Sequence, residues 1–539
     1  MHQIKRAVKP DELESVQEPV PNALSRRGFL QEGLRIGSAA SVAALLLSAR
    51  NGSAEAAIAP AGTITIGLTY DVTTLDATMQ YDAQTINVYG NIYDTLLKKT
   101  WSDGKFTIEP HLAESIKALD DTTWELKLRK GVKFHDGNGF TGEDVKFTID
   151  RILDPSVASA QFSNISGYNH VEVVDPYTVH IVTSKPFPLV PITLCNLRIV
   201  SAKQFQAEGA ERVASSPVGT GPYKFIEWAR GDHITLEANP DYWAGAPSIK
   251  TAVFSIIPED ATRIAALQTG NADLILAIPP INAPDLETNP NLIVTKTLIE
   301  RISYLEVQAL PDSKRPTAKL EVREAIAYAI NRDDLIKGLL LGNGEKLATM
   351  LTPQHVGFSP DIKGYEFDLD KAKSLLDQAG YADGLDLDFM VGTGGQSKEY
   401  AEAIAGQLSK AGINVNVNLV ESAVLLGGWQ GHDFGDMILG TWTSNTFDAD
   451  GTMYPLFHSG TVWSNYKNPA MDRLLDQARS TLDPKERDAS YKQALQILHD
   501  DLPGIPLWQQ MAIYGASQRL HWQPRPDQEL FLVEATLSE

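Results

Sequence analysis

The sequence predicts an α/β protein made of more than one domain, and three observations carry that prediction. A chain of 539 residues is longer than one hydrophobic core usually organises. Strand and helix patterns alternate over residues 253–274 and again over 321–420, the order expected of sheets covered by helices. Ahead of them, residues 100–215 mix hairpin-like strands with a helix and read as an α+β insert. With 43% hydrophobic and 21% charged residues, the composition is that of an ordinary globular protein. The formal net charge of −21 argues against nucleic acid as a partner, because phosphate backbones demand clustered Lys and Arg. Cys195 is the single cysteine, which excludes an intramolecular disulfide and a Cys-built zinc site.

The first 56 residues read as an address. Ser25-Arg26-Arg27-Gly28-Phe29-Leu30 sets two arginines before a short apolar run over 36–47. Ala54-Glu55-Ala56, or Ala57-Ile58-Ala59, then offers a small-x-small cleavage site. This matches a twin-arginine export signal, whose apolar segment is too short to span a bilayer. Nothing later has the roughly 18 uninterrupted apolar residues of a spanning helix, so a soluble, exported protein is expected.

The remaining elements follow in order. Thr63-Ile64-Thr65-Ile66-Gly67-Leu68 alternates as a strand, and a polar loop over 71–79 follows it. Around Gly131, Leu126 and Leu128 on one side and Val132 and Phe134 on the other predict two half-buried strands. His135-Asp136-Gly137-Asn138-Gly139 is turn chemistry. Thr141 and Asp144 then form a capping box that opens an amphipathic helix. Residues 171–182 predict a hairpin turning at Asp175-Pro176. In Pro217-Val218-Gly219-Thr220-Gly221-Pro222-Tyr223 the glycines are not a phosphate loop, since Pro222 blocks the helix start that would receive the phosphate. They are expected to let the chain return from the insert to the first sheet. Helices are predicted over 262–269, 321–331, 369–379 and 400–411, a strand over 414–420, and a helix then a strand over 491–507.

Three stretches, 129–151, 217–243 and 491–507, resemble the peptide/nickel/opine class of extracytoplasmic solute-binding proteins, family 5, the receptors of ABC importers. The resemblance runs from about Thr63 to the last residues. It implies an α/β, two-lobed periplasmic-binding-protein fold (type II, Venus-flytrap) with an extra α+β domain inserted in the N-terminal lobe. The expected division is an export signal at 1–56, lobe I from 61–100, 216–300 and 511–539, an inserted domain at 101–215, and lobe II at 301–510. The implied function is capture of a small solute in the cleft, by hinged closure, for delivery to an ABC permease complex in the inner membrane. A soluble periplasmic monomer without cofactor, resident metal or nucleic acid is expected. The solute could be an oligopeptide or, alternatively, an oligosaccharide, an opine or a nickel complex.

The resemblance also points to site residues. Thr441-Trp442-Thr443-Ser444-Asn445-Thr446-Phe447-Asp448-Ala449-Asp450 resembles the cleft segment in which peptide-binding relatives carry an aspartate for the ligand's ammonium, and Asn445 stands at that position. An amide offers one acceptor and two donors where a carboxylate offers charge. Asp448 or Asp450 could substitute, and Trp442 could supply an aromatic wall. Tyr70 and Asp71 are expected to line the cleft from the first lobe. The resemblance asks for an arginine ahead of the 400–411 helix to hold a peptide carboxylate, but only Lys398 is basic there. His432 and His458 are the histidines near the segment that a nickel complex would use. No Gly-x-Ser-x-Gly, His-Glu-x-x-His or evident nucleophile–histidine pair occurs, so no catalytic residue is expected; an exported hydrolase is the remaining alternative.

Overall fold

The computed structural model describes residues 60–394, 397–444 and 446–538. The expected export signal and Asn445 lie outside the described residues. Among the described residues, eleven strands form one sheet that runs through both lobes. From one edge the order is Ile413–Val420, Leu385–Gly392, Met437–Trp442, Leu292–Val307, Gly504–Ser517, Leu274–Ile275, Ala61–Leu68, Ile249–Ile256, His233–Ala238 and Tyr223–Ala229. The short strand Gly344–Lys346 pairs beside Gly504–Ser517.

Two central strands hold the lobes together. Leu292–Val307 and Gly504–Ser517 run antiparallel and are long because each belongs to both lobes. In lobe I, residues 292–298 face 511–517, and Leu274 and Ile275 continue the sheet against Ala516 and Gly515. In lobe II, residues 302–307 pair with Met437–Trp442 on the other side. Parallel pairs flank this centre: Ala61–Leu68 with Ile249–Ile256, and Leu385–Gly392 with Ile413–Val420. Parallel strands need crossover connections, and helices such as Ser397–Leu408 supply them.

Each part buries its own core. Ile64, Ile66, Leu68, Phe254 and Leu274 anchor lobe I, while lobe II packs apolar side chains from Ile302 to Trp508. The inserted part is an antiparallel sheet of Ala113–Ala118, Thr123–Leu128, Thr178–Thr183 and Tyr168–Asp175. The helix Gly142–Leu153 covers it, burying Val145, Ile149 and Ile152. The Thr141–Asp144 capping box is present, with the Thr141 N–H donating to Asp144 Oδ2 at 2.9 Å.

One expected strand is missing. Val132 and Phe134 belong to no strand, only to a loop closed by a single bridge between Lys133 and Gly139. Gly131 and Gly137 take left-handed backbone, which folds the loop so that Phe134 and Phe140 both enter the insert's core. His135 pins it, with Nε2 3.0 Å from the Gly221 carbonyl. The neighbouring glycines are required by close approach: a Cβ on Gly219 would lie 1.9 Å from the Ile92 carbonyl oxygen. The chain then enters the strand Tyr223–Ala229 at the edge of the lobe I sheet.

Candidate ligand-binding site at the hinge

The pairing of the two long strands breaks where they cross between lobes. Leu298 faces Met511 and Ile302 faces Gln509, so Ile299, Glu300 and Arg301 stand opposite Gln510 alone. A bulge of this kind bends the strand and re-aims its side chains. Glu300 turns into lobe II and is buried, accepting hydrogen bonds from the Ser444 hydroxyl and from the N–H groups of Thr446 and Phe447. His355 Nε2 stands 3.4 Å from the same carboxylate. Gln509 Nε2 closes the bulge by donating to the Ile299 carbonyl at 2.8 Å. These bonds tie the bulge to Ser444, Thr446 and Phe447.

Arg301, next on the bulge, has a different partner. It is half-buried, and its Nε donates to Thr443 Oγ1 at 3.2 Å. Burial pushes its pKa below the usual arginine value, opposed by the Tyr70 and Tyr514 hydroxyls. Tyr70, in lobe I, follows the first strand, is 45% exposed, and donates to Asp82 Oδ1 at 2.9 Å. Asp82 is itself fixed as the N-cap of the helix Ala83–Tyr89. Asp71 is occupied within lobe I, accepting from Trp228 Nε1 at 3.0 Å and from the Gly231 N–H at 2.8 Å. Its carboxylate fastens the loop that carries Tyr70.

Two of the expected site residues are corrected by their surroundings. Trp442 is 3% exposed, donates to the Gly451 carbonyl and packs edge-on against Trp463 in the core of lobe II. Asp448 is fully buried and bidentate with Arg487, at 2.6 Å from Nη1 and 3.0 Å from Nη2, so its charge is already neutralised. Asp450 is likewise buried and held by Arg479 Nε at 2.8 Å. Lys398 is exposed and pairs with Glu402 along its own helix. His432 bonds Asn465 at 2.8 Å, and His458 stacks on Tyr454.

Phe447 is the residue that sequence reasoning missed most completely. Its ring is fully buried and lies 4.9 Å from Trp101 and 5.8 Å from Phe106, centroid to centroid. Trp101 and Phe106 are cross-strand partners in the hairpin Leu97–Ser102/Lys105–Pro110, so the contact joins lobe II to the N-terminal side. Phe447 adopts φ +60°, a left-handed conformation that costs a phenylalanine on the order of 1–2 kcal/mol. The Glu300 carboxylate on its N–H, and the Val356 N–H on its carbonyl at 2.9 Å, hold it there. No propensity signals such a conformation.

A family model described as bacterial extracellular solute-binding proteins, family 5, middle, matches residues 107–464. The chain belongs to that family. Among curated relatives, the heme-binding protein A of Haemophilus influenzae is 29% identical over 82% of this chain and 85% of its own. The glutathione-binding protein GsiB of Escherichia coli strain K12 is 30% identical over 78% of this chain and 84% of its own. Among solved structures, the periplasmic binding protein DppA of Helicobacter pylori, in complex with the peptide STSA, superposes with TM-score 0.74 at 29% identity. That match covers 89% of this chain and 98% of the other. This family 5 binding protein is thus the extracytoplasmic substrate-binding component of an ABC importer and not an enzyme, which sets the hydrolase alternative aside. Its fold is the type II periplasmic-binding-protein fold. Among the described residues, no helix is long and apolar enough to cross a membrane.

Proposed function

We propose that this receptor captures a peptide-like or amino-acid-derived solute between its lobes and hands it to its permease. The observation that carries the proposal is the hinge bulge, which puts Arg301 where the strands cross between lobes, bonded to Thr443 and within electrostatic reach of Tyr70. A solute touching all three is held by both lobes, and closure is favoured by those differential contacts. Two of the relatives above bind peptides by name, one glutathione and one STSA, which supports a peptide-like solute over an opine, an oligosaccharide or a nickel complex. In this reading 61–100, 216–300 and 511–539 form lobe I, 101–215 the insert and 301–510 lobe II, hinged at 299–301 and 510. The protein works as a monomer.

The test is a thermal-shift series on protein refolded to strip co-purified solute, with peptides, opines, oligosaccharides and nickel–histidine as competitors. A solute at 100 times its dissociation constant adds about 2.7 kcal/mol and raises Tm by a few degrees. A hit confined to sugars or nickel–histidine would overturn the peptide-like reading.

The twin-arginine route is part of the same proposal, supported by Arg26-Arg27 and by the first strand beginning at Ala61, just past the cleavage candidates. Replacing both arginines with lysine (R26K/R27K) is expected to leave uncleaved precursor in the cytoplasm. Normal export of that variant would assign the segment to another route.

A further inference from the structure

We propose that Arg301 is the anchor for a free carboxylate on the solute, so that this receptor selects its cargo by the anionic end. The inference rests on the solute-capture reading above and adds the chemical group that is read.

Four observations support it. The first is the guanidinium itself. Its Nε is occupied by Thr443, while neither terminal nitrogen has a hydrogen-bond or ion-pair partner among the described residues. An arginine fork with both Nη groups open matches the two oxygens of a carboxylate. The second is position. Arg301 sits on the three-residue bulge at the crossing point of the lobes, bonded to Thr443 of lobe II and within electrostatic reach of Tyr70 of lobe I. A ligand there touches both halves of the hinge.

The third is that Glu300, Asp82, Asp71 and Asp527 are each engaged with other partners. Glu300, its neighbour on the bulge, is turned into lobe II by Ser444 and by the Thr446 and Phe447 N–H groups. Asp82 is taken by Tyr70 and its own helix, and Asp71 by Trp228 and Gly231. Asp527, below the Trp101 indole, is paired with Arg525 and Lys99. In a chain of net charge −21, a half-buried arginine left without a carboxylate marks a place for an external anion.

The fourth concerns the opposite polarity. The acids that could have received a ligand ammonium, Asp448 and Asp450, are buried and closed off by Arg487 and Arg479.

The experiment uses the full mature protein and measures affinities for three sets of probes: di- and tripeptide free acids, the same peptides as C-terminal amides, and the same acids with N-acetyl caps. Free and N-acetylated acids are expected to bind alike, with the amides about 10- to 100-fold weaker. Arg301→Met should weaken the acids to the level of the amides, and Arg301→Lys should keep part of the preference. Because Met removes an unpaired cation, its melting temperature should match or exceed wild type, which separates a lost anchor from a damaged fold. Amides binding as well as acids, or Arg301→Met retaining the preference for acids, would overturn the anchor while leaving peptide capture intact. Binding by no peptide of any set would overturn both.

Discussion

Arg487→Met is expected to destabilise the protein by about 3–5 kcal/mol. The reason is burial. Asp448 is fully buried and holds the Arg487 fork on both oxygens, while Arg487 Nε donates to the Ala478 carbonyl at 3.2 Å. Arg487 also donates to the Tyr491 hydroxyl at 3.1 Å, and that hydroxyl reaches Asp450 at 3.2 Å. The cluster therefore clamps the 446–450 loop onto the helices Pro469–Ser480 and Pro484–Asp501. Removing the arginine leaves a carboxylate in a medium that solvates charge poorly, which is costlier than losing the pair as a unit. Asp448→Leu combined with Arg487→Met should thus lose less than the two single losses added together. Urea denaturation with unchanged m-values would measure this. A loss below about 1 kcal/mol for Arg487→Met would show that water reaches the pair and that it behaves as a surface ion pair.

Glu306→Gln is expected to change the pH dependence of stability. Burial pushes the Glu306 carboxyl up to about 8, against an ordinary value of 4.5, and Asn465, Tyr304 and Trp429 offset only part of it. One oxygen accepts from Asn465 Nδ2 at 3.1 Å, and the other has no hydrogen-bond partner. The folded state therefore keeps a proton that the unfolded chain releases above about pH 4.5. Stability is fully present below that pH and falls as pH rises towards 8, by on the order of 5 kcal/mol in all. The amide that replaces the carboxyl has no such proton to lose, so the variant should gain on wild type steadily between pH 5 and pH 8. His135, whose pKa burial lowers to about 4, acts in the opposite sense. It is held neutral in the fold, so its contribution is lost as pH falls below its ordinary 6.5, and it cancels between the two proteins. Paired urea titrations across this range are the measurement. A constant difference between variant and wild type would mean that Glu306 is ionised in the fold.

Much of the architecture was legible in the sequence because it depends on local periodicity and local turn chemistry. The 63–68 alternation lies within the strand Ala61–Leu68, and the 321–331 pattern became the helix Leu320–Ala329. The hairpin at Asp175-Pro176 and the cap at Thr141 also came from residues adjacent in the chain. The site was far less legible. Trp442 and Asp448 occupy positions that look ligand-facing in a list of residues, yet Trp463 and Arg487, distant in sequence, draw both into the core. Arg301 carried no mark in the sequence beyond the expected crossing between lobes.

The sequence by itself determined the family and much of the order of strands and helices. Tertiary structure alone decided which charges are neutralised and which are left for a ligand. A carboxylate or guanidinium is the same letter whether it is paired or open. Its state depends on partners brought together by long-range strand pairing, such as Leu292–Val307 with Gly504–Ser517, some 200 residues apart. The bulge that carries Glu300 and Arg301 is a property of that pairing, and neither strand encodes it alone.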